Sequence, residues 1–108
     1  MSHSIIVPHR GRLRHLRACL WSVGRSAAVT ALTDFEVLVV QAGGPAAAEE
    51  VDAIRGMARL AVGTVRIVVA EPTATFNKPR LLNVGLGQAR GEVLTFLDAD
   101  AIVGERWL

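Results

Sequence analysis

The chain has 108 residues, of which 51% are hydrophobic and 20% charged, with a formal net charge of +2. That length suits one small domain with a buried core, taken as a single unit over 1–108. No stretch reaches the roughly 18–20 continuous apolar residues that span a bilayer, no basic-then-apolar leader opens the chain, and a lone cysteine, Cys19, rules out an internal disulfide; together these predict a cytoplasmic chain without a membrane span.

Ser4-Ile5-Ile6-Val7-Pro8 is a β-branched run closed by a proline that lacks a donor, and predicts a first strand. His9 to Arg12 is a loop at its carboxyl end. Leu13, Leu16, Leu20 and Val23 recur at helical spacing, predicting a helix over 13–23 with Gly24 as its stop. Phe35 to Val40 is a second strand, nearly all apolar, as expected where helices cover both faces of a sheet. Gln41 to Gly44 is predicted as a turn, and Pro45 suits the start of a second helix running to about Leu60. Val65 to Ala70 is a third strand and 71–76 a loop. A third helix is predicted from Lys78 or Pro79 to Ala89, with Leu82, Leu86 and Ala89 inward. After Gly91, Glu92 to Leu97 predicts a buried fourth strand that ends in Asp98-Ala99-Asp100, and a further helix is expected after Gly104. Strands alternating with helices define an α/β fold: a Rossmann-like, open, mainly parallel sheet with helices on both faces.

Ligands of open α/β sheets bind outside the carboxyl ends of the strands, where this chain places its charged residues. In extended chain, Asp98 and Asp100 point the same way. Mn²⁺ and Mg²⁺ take hard oxygen ligands, commonly one or two carboxylates with phosphate oxygens and water, so the pair suits a clamp on a metal-bound diphosphate; the bland alternative is that one acid caps a following helix. Arg10, Arg12, Arg14 and Arg17, with His9 and His15 among them, make a cluster that attracts phosphate, although Arg14 and Arg17 fit a solvated helix face equally well. No nucleic-acid-binding motif accompanies the cluster and aromatics are scarce, which favours a small phosphorylated ligand over nucleic acid. Gly43 and Gly44 allow either close approach of backbone to a ligand or plain turn chemistry. Phe76 with Lys78 and Arg80 could sandwich a base and neutralise phosphate, or be a core aromatic beside two solvated cations. Gly85-x-Gly87-x-x-x-Gly91 has the wrong spacing for a dinucleotide fingerprint and there is no P-loop lysine motif. His3, His9 and His15 are no better placed as a base than solvated histidines.

With these residues in view, the chain resembles the nucleotide-sugar-binding, N-terminal half of GT-A glycosyltransferases. Ser4-Ile-Ile-Val-Pro8, Phe35-Glu-Val-Leu-Val-Val40 and Gly91-Glu-Val-Leu-Thr-Phe-Leu-Asp-Ala-Asp100 are similar to the family 2 pattern. Val7-Pro-His-Arg-Gly-Arg12 with His15-Leu16, Gln41-Ala42-Gly43, and Phe76-Asn-Lys-Pro-Arg-Leu-Leu-Asn-Val-Gly85 look like the β-1,4-galactosyltransferase type. The resemblance implies that Pro8, Arg10, Arg12 and Gln41 contact the nucleotide, that Phe76 lies against the base and that Lys78 faces the diphosphate. It implies that Asp98 reaches ribose or donor sugar and that Asp100, with Asp98, binds Mn²⁺ or Mg²⁺. The implied donor is a UDP-sugar, UDP being the commonest nucleotide of the family, and the implied acceptor a glycan or other hydroxyl compound. Gln41-Ala42 departs from the acids that family 2 members usually carry there. The family's acceptor half and catalytic base would fall after Leu108, so the resemblance implies a donor-binding half, inactive in transfer on its own.

Two rival expectations remain from the residues. Haloacid dehalogenase-type phosphohydrolases also place Asp-x-Asp after a strand, with the first acid as nucleophile, but there the motif opens the domain. A nucleotide-binding module without turnover is the other.

Overall fold

A computed structural model describes residues 3–61, 63–73 and 76–108. The apolar runs form four strands, β1 (His3–His9), β2 (Phe35–Gly43), β3 (Thr64–Pro72) and β4 (Val93–Phe96), interleaved with helices α1 (Leu13–Thr30), α2 (Ala47–Met57) and α3 (Lys78–Gln88) and a 3₁₀ turn over Ala58–Ala61. The strands make one sheet in the order β3-β2-β1-β4, with every pairing parallel.

Side chains alternate across the sheet, and the two faces have separate cores. Ile5, Val7, Val37 and Val39 pack with Leu16, Cys19, Leu20 and Val23 of α1 and with Ile54 and Met57 of α2. Ile6, Leu38 and Val40 pack on the other face with Ala70 and Leu81. This double coverage explains why β1 and β2 read as unbroken apolar runs. Each fully buried Leu, Ile or Val contributes on the order of 1.5–3 kcal/mol.

Several boundaries differ from expectation. Helix α1 runs through Gly24 to Thr30 and ends at Ala31, whose φ of 57° and N–H bond to the Ala27 carbonyl make a left-handed cap. Gly24 serves packing: a Cβ there would lie 1.8 Å from the Leu60 carbonyl oxygen. The expected turn at 41–44 is mostly strand, because β2 keeps pairing with β3 through Gly43 after an irregularity at Gln41. β3 likewise extends to Pro72; of the loop expected at 71–76, residues 74 and 75 lie outside those described. Helix α2 opens at Ala47, not Pro45. In α3 the buried positions are Leu81 and Gly85, while Leu86, expected inward, is exposed.

The fourth strand is an edge strand, not a buried one. β4 pairs only with β1, and Val93 and Phe96 are 58% and 54% exposed. The tail after it forms a turn closed by the Trp107 N–H on the Gly104 carbonyl, 3.0–3.1 Å being an ordinary bond length, at 3.1 Å here, and not the helix expected after Gly104. Buried serines of α1 hold that tail. Ser22 Oγ accepts the Val103 N–H at 3.0 Å and Ser26 Oγ accepts the Leu108 N–H at 2.9 Å.

A buried polar cluster ties the amino ends of the strands together. The Glu36 carboxylate, fully buried, accepts Ser4 Oγ–H at 2.5 Å, Arg66 Nε–H at 2.8 Å and the Arg90 N–H at 2.7 Å. Burial pushes this carboxyl up, but the bonds from Arg66, Ser4 and Arg90 and the Arg66 charge outweigh it and hold the pKa down to about 2. The Ser4 hydroxyl also accepts the Gly91 N–H at 2.7 Å, fixing the approach to β4.

Candidate functional site

From β1 the chain winds outward through β2 to β3, then returns across the sheet so that β4 lies on the opposite side of β1. The crevice outside the carboxyl ends of β1 and β4 is therefore the topological switch point, where open α/β sheets bind ligands. A cavity of about 410 Å³ opens there. Its walls are the loop from Pro8 to Arg12, His15 at the start of α1, Phe76 and Lys78 at the entry to α3, and the turn from Asp98 to Asp100. All strands being parallel, their carboxyl ends share one edge, and this brings together segments some 90 residues apart in the sequence.

Seven of the eight residues to which the resemblance gives a role line this cavity: Pro8, Arg10, Arg12, Phe76, Lys78, Asp98 and Asp100. Arg14 and Arg17 are exposed on α1 and do not line it. Gly11 and Arg12 both have left-handed backbone, at φ 64° and 49°. For Arg12, the residue that precedes α1, this costs about 1–2 kcal/mol. The loop is held by the Gly11 N–H, which donates to Glu50.

The acids sit differently from the extended arrangement expected. β4 ends at Phe96, and Asp98 to Ala101 form a turn closed by the Ala101 N–H on the Asp98 carbonyl at 3.0 Å. Both acids still line the cavity. Asp98 is ion-paired with Lys78, whose helix is capped by Asn77 Oδ1 accepting the Arg80 N–H at 3.1 Å. Beneath the turn, Cys19 Sγ–H donates to the Asp98 carbonyl at 3.7 Å. Burial pushes the Cys19 thiol up to about 12, with Asp100 and Asp98 adding to the shift. Two carboxylates on one turn fit a hard cation that completes its shell with phosphate oxygens and water. Among the described residues, no three His, Cys, Asp or Glu side chains gather into a metal cluster.

Gln41 departs most from expectation. It is fully buried and lines neither this cavity nor the adjoining one of about 430 Å³ beside the start of α2. Its amide instead touches His9 and Glu50. Gly43, in that second cavity, serves β3: a Cβ there would lie 2.2 Å from the Ala70 carbonyl oxygen. The three histidines separate. His3 hydrogen-bonds Thr95 at 2.7 Å, and burial lowers its pKa. His15 is exposed in the cavity wall. His9, expected as a solvated histidine, is 1% exposed; the available signal was its place directly after Pro8, at the end of an apolar strand.

The fold is a Rossmann-like α/β domain with a cavity at its topological switch point. Residues 4–108 match the glycosyl transferase family 2 sequence family, and the chain belongs to it. Among solved structures, residues 1–349 of S. aureus TarS superpose with a TM-score of 0.70 at 23% identity, over 97% of this chain and 29% of that one, a likeness of fold. The same TarS fragment in complex with UDP-GlcNAc gives 0.65 at 26% identity, over 97% and 28%. In complex with UDP it gives 0.66 at 26%, over 97% and 29%. The protein y4gI of Sinorhizobium fredii, described as uncharacterized, is 31% identical over 107 residues, 97% of this chain and 11% of its own length. This chain thus spans about a tenth of that relative and under a third of the TarS chains. No helix among the described residues is long and apolar enough to cross a membrane.

Proposed function

We propose that the cavity between β1 and β4 binds a nucleoside-diphosphate sugar, a UDP-sugar, as donor for glycosyl transfer. The observation that carries this is the convergence of Arg10, Arg12 and Lys78 with Asp98 and Asp100 on one cavity of about 410 Å³, a size within the ordinary range for small-ligand sites. The crystal structures of TarS with UDP and with UDP-GlcNAc support the choice of nucleotide. Arg10 and Arg12 supply fixed positive charge for the diphosphate. Phe76, 43% exposed, offers a flat apolar surface to the base. Lys78 exchanges Asp98 for a phosphate oxygen. Asp100, with Asp98, would hold Mn²⁺ or Mg²⁺, an ion that neutralises the charge developing on a departing diphosphate. Transfer to an acceptor hydroxyl is proposed for the longer arrangement seen in the relatives, with the acceptor-activating base and acceptor site supplied outside these 108 residues.

The test is calorimetric titration of the chain with UDP, with and without Mn²⁺, for the unaltered protein and Asp100→Ala. Binding that strengthens with Mn²⁺ and loses that dependence in Asp100→Ala is expected. Undiminished Mn²⁺-dependent binding by the variant removes the metal role of Asp100, and no binding of UDP by the unaltered chain overturns the donor-site reading.

A further inference from the structure

A relay of polar groups, buried at His9 and Gln41 and half-buried at Glu50 and Gly11, joins the ends of β1 and β2 to the start of α2. His9 and Gln41 are register partners at the carboxyl ends of β1 and β2. His9 Nδ1 lies 2.7 Å from Gln41 Oε1. The far end of the relay orients the Gln41 amide. Its NH₂ donates to one Glu50 oxygen and to the Ala42 carbonyl, while the other Glu50 oxygen accepts the Gly11 N–H. A carboxylate only accepts, so the amide presents NH₂ to Glu50 and its oxygen to His9. An oxygen at that place also only accepts, so His9 Nδ1 carries a proton. In the neutral ring Nε2 is then a bare lone pair. That nitrogen is buried without a partner among the described residues, and His9 lines the cavity. A buried acceptor left unpaired is costly, and such groups in native proteins call for an explanation.

We infer that His9 reads the nucleotide base, its Nε2 accepting a hydrogen bond from the imide N–H of uracil. This rests on the donor-site reading above and gives that site its base specificity. The uracil edge carries an N–H between two carbonyls, and the bare lone pair of His9 Nε2 complements that N–H. Cytosine presents a lone pair at the same ring position and would set it against the lone pair of His9. Gln41 is a positioning residue: it touches no ligand and sets which ring nitrogen of His9 holds the proton.

Calorimetry at fixed Mn²⁺ with UDP, CDP and N3-methyl-UDP tests the contact on the unaltered chain. UDP is expected to bind roughly tenfold or more tightly than either analogue, the size expected when one buried hydrogen bond is lost. His9→Gln can present either an oxygen or an N–H, and should bring UDP and CDP within about threefold of each other. Gln41→Leu keeps His9 but frees its tautomer, and should narrow the same ratio; thermal melts establish that each variant is folded. Equal affinity for UDP and N3-methyl-UDP overturns the contact whatever the variants do. The ¹⁵N chemical shifts of the His9 ring in the nucleotide-free chain report the tautomer with no ligand present. A proton on Nδ1 is expected, and a neutral ring protonated on Nε2 overturns the relay. If the ring is protonated on Nδ1 yet UDP does not bind, the donor-site reading fails and the base contact falls with it.

Discussion

Lys78 and Asp98 neutralise each other in the cavity wall, joining the first turn of α3 to the turn after β4. Their side chains are 45% and 57% exposed, so solvent screens the pair and it adds at most about 1 kcal/mol to stability. On the donor-site proposal its use is in binding, where Lys78 would move to a phosphate. Lys78→Ala should therefore change unfolding free energy by less than about 1 kcal/mol while weakening UDP binding by roughly tenfold. Denaturant melts and calorimetry separate the two effects, and a large stability loss with unchanged binding would contradict this role.

Arg12 is held in the left-handed region by the bend between β1 and α1. A glycine adopts that conformation without the steric cost. Arg12→Gly should raise stability by about 0.5–1 kcal/mol and weaken nucleotide binding by removing a cation from the lining. Opposite signs in the melt and in the titration are the expected signature. Unchanged UDP affinity would remove Arg12 from the phosphate site.

Glu36 couples stability to acidity. Its folded pKa, about 2, lies below its ordinary value of 4.5, so its contribution is complete above the ordinary value and drains away as pH falls toward the folded one. Glu36→Gln, which breaks a buried charged network, should cost about 3 kcal/mol near neutral pH. The gap between the two proteins should shrink between pH 4.5 and about 2. Melts across that range measure the gap, and a constant gap would show that the carboxylate charge is not what Arg66 and Ser4 hold.

Two helix glycines should respond in opposite directions to the same substitution. Gly24→Ala must force a methyl onto the Leu60 carbonyl, while a Cβ on Gly56 of α2 meets nothing within 4 Å. The first should destabilise by about 1–3 kcal/mol, and the second should stabilise by up to about 1 kcal/mol through helix propensity. Equal effects in chemical melts would contradict the close approach of α1 to the 3₁₀ turn.

The sheet, and the gathering of most candidate residues on one cavity, could be read from local patterns. Val37 to Val40 alternates faces, and its uninterrupted apolar character already implied helices on both. Once the strands were parallel, Arg10, Arg12, Asp98 and Asp100 had to share an edge. What escaped depends on distant neighbours. Gly24 looked like a helix stop because its reason, Leu60, lies 36 residues away and no local pattern reports it. Val93 and Phe96 looked buried because composition describes what a side chain tolerates, not whether another strand lies beside it. The buried contact of Gln41 with His9 escaped because it is set by the register of two strands 32 residues apart.

Helix α1 begins at the cationic loop and, farther along, carries Cys19 under the acidic turn and the serines that grip the tail. One helix thus borders both the cationic loop and the acidic turn. A donor bound as proposed would meet both on a shared support, and would lose little affinity to rearranging the protein around it.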